Sequence, residues 1–492
     1  MTEPEYDVAV VGGGPVGVSL LNLLGAHGLT AVGFECEPTA GHSPRAGSFD
    51  GEVMRIFQAG GLAAAIEPSV SPGVGLRLEN EAGTTLLRMD NREQFGPQGW
   101  AVSYRMYQPT LERLLRQGLE RFPKVLLHSG QKVTAVGQNE RHAWVDVCDT
   151  SGTRRRRRIR ARYVVGCDGA SSSVRSMIGV EFTSLAPDQP YLVVDAIPKR
   201  ELDLPRDGIL FCSPSRPHYW RGLAPWLRWE LKVMPDDDPA ELTTPAIVYR
   251  LLDSWITPAD ADIERAVIYN FHSLLADRWR EGRVLLAGDA AHVQPPFMGQ
   301  GLCSGLRDVA NLSWKLAWVC RGDASDDLLD TYQSERSPHA RAWIDEATRI
   351  GDIVTIVDRT AAAERDARIL GGSRELRPIT PRLGPGLHAG APEPAGTLSP
   401  QPVLSDGRRL DDVIGLRFAV VASHDLAATV PAVPNLTVVN EPAQAVEPIL
   451  AEYRAAAVVI RPDRYVLGVA RDRHELQRLL GLVPGRRRPV AA

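Results

Sequence analysis

Residues 6–35 read YDVAVVGGGPVGVSLLNLLGAHGLTAVGFE. Residues 6–11 are a short apolar run that ends in glycine, which predicts a buried strand. Residues 16–26 have helical character, and residues 30–35 predict a second strand, although Gly33 weakens it. The stretch therefore predicts a βαβ unit at the start of an α/β fold.

The turn between this strand and this helix carries a glycine motif. Gly12, Gly14 and Gly17 fit the pattern G-x-G-x-x-G. The first glycine permits a tight turn, the second lets backbone approach a pyrophosphate, and the third packs the helix against the strand. Glu35 ends the second strand, where it can accept hydrogen bonds from an adenosine ribose. A ligand-free glycine turn is the alternative, and the motif alone does not separate FAD from NAD.

Two later motifs each follow a predicted buried strand. Residues 163–170 read YVVGCDGA and contain Asp168, and residues 283–292 read RVLLAGDAAH and contain Asp289. Asp289 stands at the carboxyl end of its strand, where ligands bind in parallel α/β sheets, and could hold the hydroxyls of a ribityl chain. For Asp289 alone, a carboxylate that caps the next helix is the competing interpretation.

The turn Gly299-Gln300-Gly301 is predicted to begin a helix. The apolar positions that follow have amphipathic spacing: Leu302, Leu306, Val309, Leu312 and Leu316. The amides at the start of that helix could bind the pyrimidine edge of a flavin and stabilise negative charge on it. The motifs taken together therefore favour FAD over NAD as the bound dinucleotide.

These motifs resemble those of the class A flavoprotein monooxygenases similar to p-hydroxybenzoate hydroxylase, and most closely the 3-(3-hydroxyphenyl)propionate hydroxylase-like enzymes. The resemblance covers residues 5–350 and includes residues 305–316 and the stretch YQSERSP at 332–338. It implies a Rossmann-like FAD-binding domain with an inserted, mostly antiparallel sheet domain for the substrate. It also implies a small C-terminal thioredoxin-like α/β domain, which has no C-x-x-C here and hence no expected redox role.

Patterning along the chain suggests where these domains lie. Residues 191–233 alternate like antiparallel strands, residues 371–402 are rich in glycine and proline, and residues 456–470 predict a hairpin that turns at 461–464. Further C-terminal strands are predicted at 417–421 and 435–439. The expected boundaries are 1–75, 100–182 and 278–370 for the FAD-binding domain, 76–99 and 183–277 for the substrate domain, 371–402 for a linker, and 403–492 for the C-terminal domain.

The resemblance also assigns site residues. It implies that Gly12, Gly14, Gly17 and Glu35 hold the ADP half of FAD, and that Asp289 holds the ribityl chain. The remaining expected cofactor residues are Arg45, Gln108 (before a predicted helix at 111–119), Asp168, Gly299, Gln300 and Gly301. Pro295 and Arg45 are expected at the reaction centre. Relatives often have arginine directly after the Glu35 position, and Cys36 stands there in this chain.

The chemistry that the resemblance implies is aromatic hydroxylation. NADH or NADPH reduces FAD, dioxygen adds at flavin C4a, and the hydroperoxide oxygen attacks an electron-rich ring, for which a phenol is the expected class. His218 or Tyr219 would contact the phenol and Arg216 or Arg221 a carboxylate, with ordinary packing as the alternative. Polyketide tailoring, epoxidation, Baeyer–Villiger oxidation and a non-catalytic flavin-binding protein remain open.

Bulk properties exclude several other classes. A net charge of −4 argues against a nucleic-acid binder, and no apolar run reaches the ~18 residues of a membrane span. Arginines 154–158 are predicted to form a solvated turn between strands. Six widely spaced cysteines indicate reduced, mostly buried thiols in the cytoplasm and no metal site. The expected partners are a small aromatic compound, dioxygen and NAD(P)H, with a homodimer as the assembly to test.

Overall fold

The first of two large sheets is built around the predicted N-terminal strand. The structure, a computed structural model, describes residues 5–39, 45–73, 75–89, 95–151, 156–223, 226–377, 379–439 and 443–485. Tyr6–Val11 pairs in parallel with Ala31–Glu35 on one side and with Arg157–Gly166 on the other. The order across this sheet is Arg280–Glu281, Val284–Leu286, Arg157–Gly166, Tyr6–Val11, Ala31–Glu35 and Val125–Ser129, with Ala143–Asp149 and Gln131–Gln138 attached as an antiparallel extension.

Two long helices support the end of this sheet where the motifs meet. Pro15–Ala26 lies against Gly301–Arg321, and both are buried over most of their length. Gly301–Arg321 ends at Gly322, whose φ of 78° is the left-handed conformation common at helix ends. The other helices of the chain are Gly51–Ala59, Ala63–Ile66, Gln108–Gly118, Ser173–Met177, Pro239–Leu242, Pro245–Leu251, Asp330–Val354, Arg359–Leu370, Leu410–Ile414, His424–Ala427, Ala443–Glu452 and Arg473–Leu480.

The second large sheet is mostly antiparallel, as the alternating pattern predicted. Its order is His292–Val293, Ala261–Ala276, Phe182–Pro198, Trp226–Lys232, His218–Leu223, Gly208–Cys212, Leu76–Asn80 and Thr85–Met89. One face packs a core that includes Trp220 and Trp229 against Val248 of a short helix. Because side chains alternate along a strand, the neighbours of these tryptophans point to the other face. A small third sheet joins Ser48–Asp50, Ser103–Arg105 and Ser71–Pro72.

The C-terminal domain has a four-stranded mixed sheet in the order Leu436–Val439, Phe418–Ala422, Ala457–Ile460 and Val466–Ala470. Its first two strands in the chain are parallel, and the last two form the predicted hairpin that turns at 461–464. This order is the thioredoxin-like arrangement that the resemblance implied. The last cysteine of the chain is Cys320, so this domain has no thiol.

Several local expectations need correction. Gln108 is the first residue of its helix and does not precede it. Arg157 and Arg158 belong to a strand, where Arg158 pairs with Asp146, and residues 154 and 155 of the predicted arginine turn lie outside the described residues. All six cysteines are free, but only Cys212, Cys303 and Cys320 are fully buried.

Residues 371–402 are more than a connection. Leu376 and Leu383 are buried, and the backbone N–H of Leu376 donates to Arg88 O at 2.9 Å. Compact packing therefore holds this glycine- and proline-rich stretch against the substrate sheet. Composition alone predicted the lack of helix but not this packing, because proline and glycine report only on local backbone.

Two features are absent from the described residues: a membrane-spanning helix and a metal-binding group of side chains. No helix there is long and apolar enough to cross a membrane. No group of histidine, cysteine and acidic side chains there could hold a metal ion.

Candidate cofactor and substrate site

The glycine turn has the close contacts that its motif predicted. Gly12 has a φ of 104°, and a Cβ there would lie 2.3 Å from Cys167 O. A Cβ on Gly17 would lie 2.0 Å from Gly12 O, whereas one on Gly14 would meet nothing within 4 Å. Two glycines thus permit tight backbone packing, and the third leaves open space at the start of helix Pro15–Ala26. That open space suits a phosphate group.

Glu35 is held beside this turn. Its carboxylate accepts the backbone N–H of Gly13 at 2.7 Å and that of Glu37 at 2.8 Å. A carboxylate has about four acceptor positions, so capacity remains for ribose hydroxyls. Cys36, which replaces the arginine of relatives, is exposed, and its thiol lies 3.3 Å from the same carboxylate.

Asp289 lies in a short turn directly after strand Val284–Leu286. Its side chain is reachable by solvent and has no hydrogen-bonding partner within the described part of the chain. It also makes no capping bond, which removes the competing interpretation. The surrounding protein raises its pKa by desolvation, while His292 and Arg45 oppose the rise. An unpaired carboxylate in this place fits a ligand that donates hydroxyls.

Asp308 fixes the backbone next to Asp289. It is fully buried and accepts from Gly288 N at 3.0 Å, from His292 Nε2 at 2.6 Å and from Arg336 Nε at 3.0 Å. Burial alone would raise the pKa of Asp308, but His292 and Arg336 lower it overall. The ionised carboxylate therefore ties the strand end to two helices.

The side chains of Gln108 and Asp168 form hydrogen bonds with other groups of the protein. Gln108 Oε1 accepts the backbone N–H groups of Arg45 and Ala46 at 2.8 and 2.7 Å, and its Nε2 donates to Glu112. Gln108 thus positions the Arg45 loop. Asp168 accepts from Val174 N at 3.0 Å and from two serine hydroxyls, so it caps helix Ser173–Met177. The cofactor contacts expected of Gln108 and Asp168 stay predictions, and both side chains also support the site.

The turn at 299–301 is fixed by charged neighbours. Gly299 has a φ of 64° and precedes Gln300 and helix Gly301–Arg321. Gln300 Nε2 donates to Asp50 at 3.2 Å, and Gln300 Oε1 accepts from Arg307 Nη1 at 2.8 Å. Arg307 also pairs with Asp50 and with Glu52. The helix start therefore presents its amides to a cavity in a fixed orientation.

This cavity has a volume of about 700 Å³, within the usual range of ~300–1,000 Å³ for small-molecule sites. Its walls come from the turn at 299–301, the substrate sheet, the small third sheet, the segment 371–402 and the C-terminal domain. The lining residues include Arg105, Arg206, Tyr219, Arg221, Pro296, Gly299, Gln300 and Tyr465.

The structure separates the four predicted substrate residues. Tyr219 and Arg221 line the cavity. His218 does not line it, because it points to the other face of its strand and stacks on Phe211 with 4.3 Å between ring centroids. Arg216 is bound by Asp237 at 2.7 and 2.8 Å and also lies outside the cavity wall. His218 and Arg216 therefore stay predictions as substrate contacts, since neither lines this cavity. Pro296 lines the cavity, whereas its neighbour Pro295 is buried and does not line it.

Sequence reasoning missed many of the lining residues, among them Arg105, Arg206 and Tyr465. Arg105 ends a three-residue strand, Arg206 lies in a loop, and Tyr465 belongs to the C-terminal hairpin. No periodicity or motif marks these positions, since they meet only through the packing of three domains.

Comparisons with known proteins agree with this geometry. The model of a family described as "FAD binding domain" matches residues 5–347. A probable NADH-specific resorcinol 4-hydroxylase of Rhodococcus jostii is 33% identical, over 96% of this chain and 93% of its own. A 3-(3-hydroxy-phenyl)propionate/3-hydroxycinnamic acid hydroxylase of Mycolicibacterium smegmatis is also 33% identical, over 94% and 90%.

Solved structures share the whole fold. A ternary complex of aklavinone-11 hydroxylase with FAD and aklavinone has a TM-score of 0.82 at 22% identity and covers 99% of this chain and 100% of its own. The flavin-dependent monooxygenase PieE has a TM-score of 0.80 at 23% identity, covering 97% and 98%. The three-domain architecture is therefore common to all of them. On the family match and the identities over nearly the full length, this chain belongs to the FAD-binding-domain family and, within it, to the FAD-dependent aromatic hydroxylases.

Proposed function

We propose that this chain hydroxylates the ring of a small phenol that also carries a carboxylate, with NADH as the reductant. The reductant is supported by the NADH-specific relative, and the phenol by the two relatives that act on resorcinol and on hydroxyphenyl acids. The carboxylate is supported by the cavity itself. Arg105, Arg206 and Arg221 line it together.

The three arginines form no salt bridge among the described residues, although Arg221 lies within electrostatic reach of the buried Glu230. Burial lowers the pKa of Arg105, and the charges of Arg221 and Arg206 lower it further, which places the three guanidinium groups within electrostatic reach. The Nε of Arg105 is buried without a hydrogen bond, and Arg221 donates to the carbonyl of Gly47 at 3.2 Å and also interacts with the Tyr219 hydroxyl. Like charges in a partly enclosed cavity repel each other, so a bound anion would reduce the electrostatic repulsion among the three guanidinium groups.

The acidic groups of the same cavity have their own cations. Asp50 and Glu52 bind Arg307, Glu375 binds Arg377 and Glu393 lies 3.9 Å from Arg382. Each of these four carboxylates thus has a cation within 4 Å, with Arg307 shared by Asp50 and Glu52. Because the acidic side chains of the cavity pair with other cations, we expect a substrate anion at the arginine cluster in place of an internal salt bridge.

Each part of the site would have a separate task. Gly12, Gly14, Gly17 and Glu35 would hold the ADP half of FAD, with Asp289 on the ribityl chain. When bound, FAD supplies the transfer of electrons from NADH and the activation of dioxygen. The start of helix Gly301–Arg321 favours negative charge close to it, an effect of roughly 0.3–1 kcal/mol that reaches ~2 in partly buried sites.

Tyr219 would orient the substrate hydroxyl. Burial raises its pKa, so the phenol group stays protonated and can donate a hydrogen bond. The 371–402 segment and Tyr465 close the cavity on the side opposite the sheet, which limits water at the reacting ring.

The test uses the FAD-loaded enzyme with a matched pair of compounds, 3-(3-hydroxyphenyl)propionate and its neutral amide. Mass spectrometry after incubation with NADH and oxygen should find a product one oxygen atom heavier. A product from neither compound, nor from resorcinol, refutes the hydroxylase proposal.

The carboxylate is tested separately, by titration of the flavin absorbance. We expect the acid to bind roughly ten- to a hundredfold more tightly than the amide, since a hydrogen bond to a charged group contributes ~1.5–3 kcal/mol. Arg206→Gln should remove much of this preference, and Arg341→Gln, on an exposed arginine outside the cavity, should not. Equal binding of acid and amide, with hydroxylation of both, would overturn the anion assignment alone. Arg206→Gln that weakens only NADH would reassign the cluster to the dinucleotide.

Asp289→Ala should weaken FAD binding by roughly ten- to a hundredfold, because it removes a charge-assisted hydrogen bond worth ~1.5–3 kcal/mol. The fold should survive, since the side chain is solvent-reachable and has no partner in the described part of the protein. The measurement is FAD titration of the apoprotein, with the melting temperature as a check on folding. Asp262→Ala, which removes a 70% exposed carboxylate of the substrate sheet, is the control. An unchanged dissociation constant would remove Asp289 from the site.

The cytoplasm and a homodimer complete the proposal. Six free cysteines support a reducing compartment. Light scattering of the purified protein measures the assembly directly.

A further inference from the structure

The C-terminal domain reaches into the cavity through one side chain, Tyr465. This residue directly precedes the second strand of the hairpin, Val466–Ala470, and is 4% exposed. Its hydroxyl donates to Glu52 Oε1 at 2.8 Å and lies 3.2 Å from His339 Nε2. A domain without cysteines thus contributes a polar group to the wall of the cofactor and substrate cavity.

A continuous set of charged contacts leads from Tyr465 to the flavin-binding turn. The second oxygen of Glu52 binds Arg307 Nε at 2.5 Å. Arg307 in turn donates to Gln300 Oε1 at 2.8 Å, and Gln300 Nε2 donates to Asp50. Arg307 is buried and also lies over the ring of Trp343. The orientation of the Gln300 amide therefore depends on a carboxylate that Tyr465 holds.

The hairpin that carries Tyr465 is itself firmly placed. Arg461, at the hairpin turn, binds both oxygens of Glu335 at 2.7 and 2.8 Å. The backbone of Tyr465 accepts the N–H of Arg461 at 2.9 Å and pairs across a bridge with Leu398. The same contacts that dock the C-terminal domain therefore also place the Tyr465 hydroxyl.

We propose that Tyr465 is a positioning residue, supplied by the C-terminal domain, that acts through Glu52 and Arg307 to orient the Gln300 turn for FAD. The role of this domain in the enzyme is then to complete the cofactor site, and not to carry redox chemistry of its own.

The test measures FAD binding to apoprotein, which is independent of turnover. Tyr465→Phe keeps the ring and removes only the hydroxyl, so we expect the FAD dissociation constant to rise by roughly two- to tenfold. The melting temperature of the apoprotein should stay near that of Tyr249→Phe. That control also loses one hydrogen bond of 2.8 Å, to Ala261 O, but in the substrate domain away from the cavity.

A double-mutant cycle with Glu52→Gln separates positioning from packing. If Tyr465 acts through Glu52, adding Tyr465→Phe to Glu52→Gln should change the FAD dissociation constant by less than about twofold. Full additivity of the two changes, or no effect of Tyr465→Phe on FAD binding, would overturn the proposal. If Tyr465→Phe fails to fold, Glu52→Gln alone decides: unchanged FAD binding contradicts the path, and weaker binding supports it.

Discussion

Glu335→Gln is expected to lower the free energy of unfolding by about 3–5 kcal/mol, the usual cost of breaking a buried ion pair by removing one partner. Glu335 is fully buried on helix Asp330–Val354 and binds Lys315 at 2.6 Å and Arg461 at 2.7 Å. It also accepts the Asn311 amide and the backbone N–H of Leu387. Its loss leaves two buried cations with less compensation.

The pKa of Glu335 makes this expected loss of stability depend on pH. Burial alone would raise the pKa of Glu335, but Arg461 and Lys315 lower it well below its usual range. A lowered carboxyl pKa stabilises the fold above the unfolded pKa of about 4.3 and loses that contribution as pH falls below it. The difference between wild type and Glu335→Gln should therefore be full at pH 7 and shrink below about pH 4.

Denaturant unfolding followed by tryptophan fluorescence measures the loss. Asp345→Asn is the matched control on the same helix, because its 57% exposed side chain lies 3.5 Å from Arg341 and such surface pairs contribute only ~0.2–1 kcal/mol. A loss below about 1 kcal/mol for Glu335→Gln would mean that this cluster does not hold the C-terminal domain in place.

The parts of the site that sequence predicted are those that follow a strand end within a few residues. Gly12 and Asp289 fall in turns whose backbone conformation or exposed carboxylate is a local property. Parallel strands bring such turns to one edge of a sheet, so their meeting needed no knowledge of distant packing.

The substrate wall could not be predicted in the same way. His218 and Tyr219 are neighbours in the chain, yet only Tyr219 faces the cavity, and the face of a strand depends on which layer packs against it. Arg216 and Arg221 differ only in whether an aspartate, Asp237, lies within reach. Such differences arise from tertiary contacts that have no pattern in the sequence.

The remaining prediction concerns the rate at which NADH reduces the bound flavin. Tyr219 and Arg221, which are proposed to contact the substrate, share one cavity with the turn at 299–301, so a ligand there contacts the wall on which the flavin ring is proposed to lie. The resemblance implies that the flavin alternates between a state open to the nicotinamide and one closed to solvent. A ligand that favours the open state raises its population, and the rate can rise no further than that shift allows.

Minor states are commonly populated at ~0.1–10%, so a hydroxyaryl carboxylate should accelerate flavin reduction by about ten- to a thousandfold. The measurement is anaerobic stopped-flow absorbance of the oxidised flavin with and without the compound. Benzoate, which has the carboxylate but no ring hydroxyl, shows whether the anion alone suffices. Reduction of the flavin without an aromatic ring to hydroxylate consumes NADH and releases hydrogen peroxide. Control of the reduction rate by the substrate prevents this loss. Reduction that is equally fast without any aromatic compound, with all consumed oxygen recovered as peroxide, would identify the chain as an NADH oxidase.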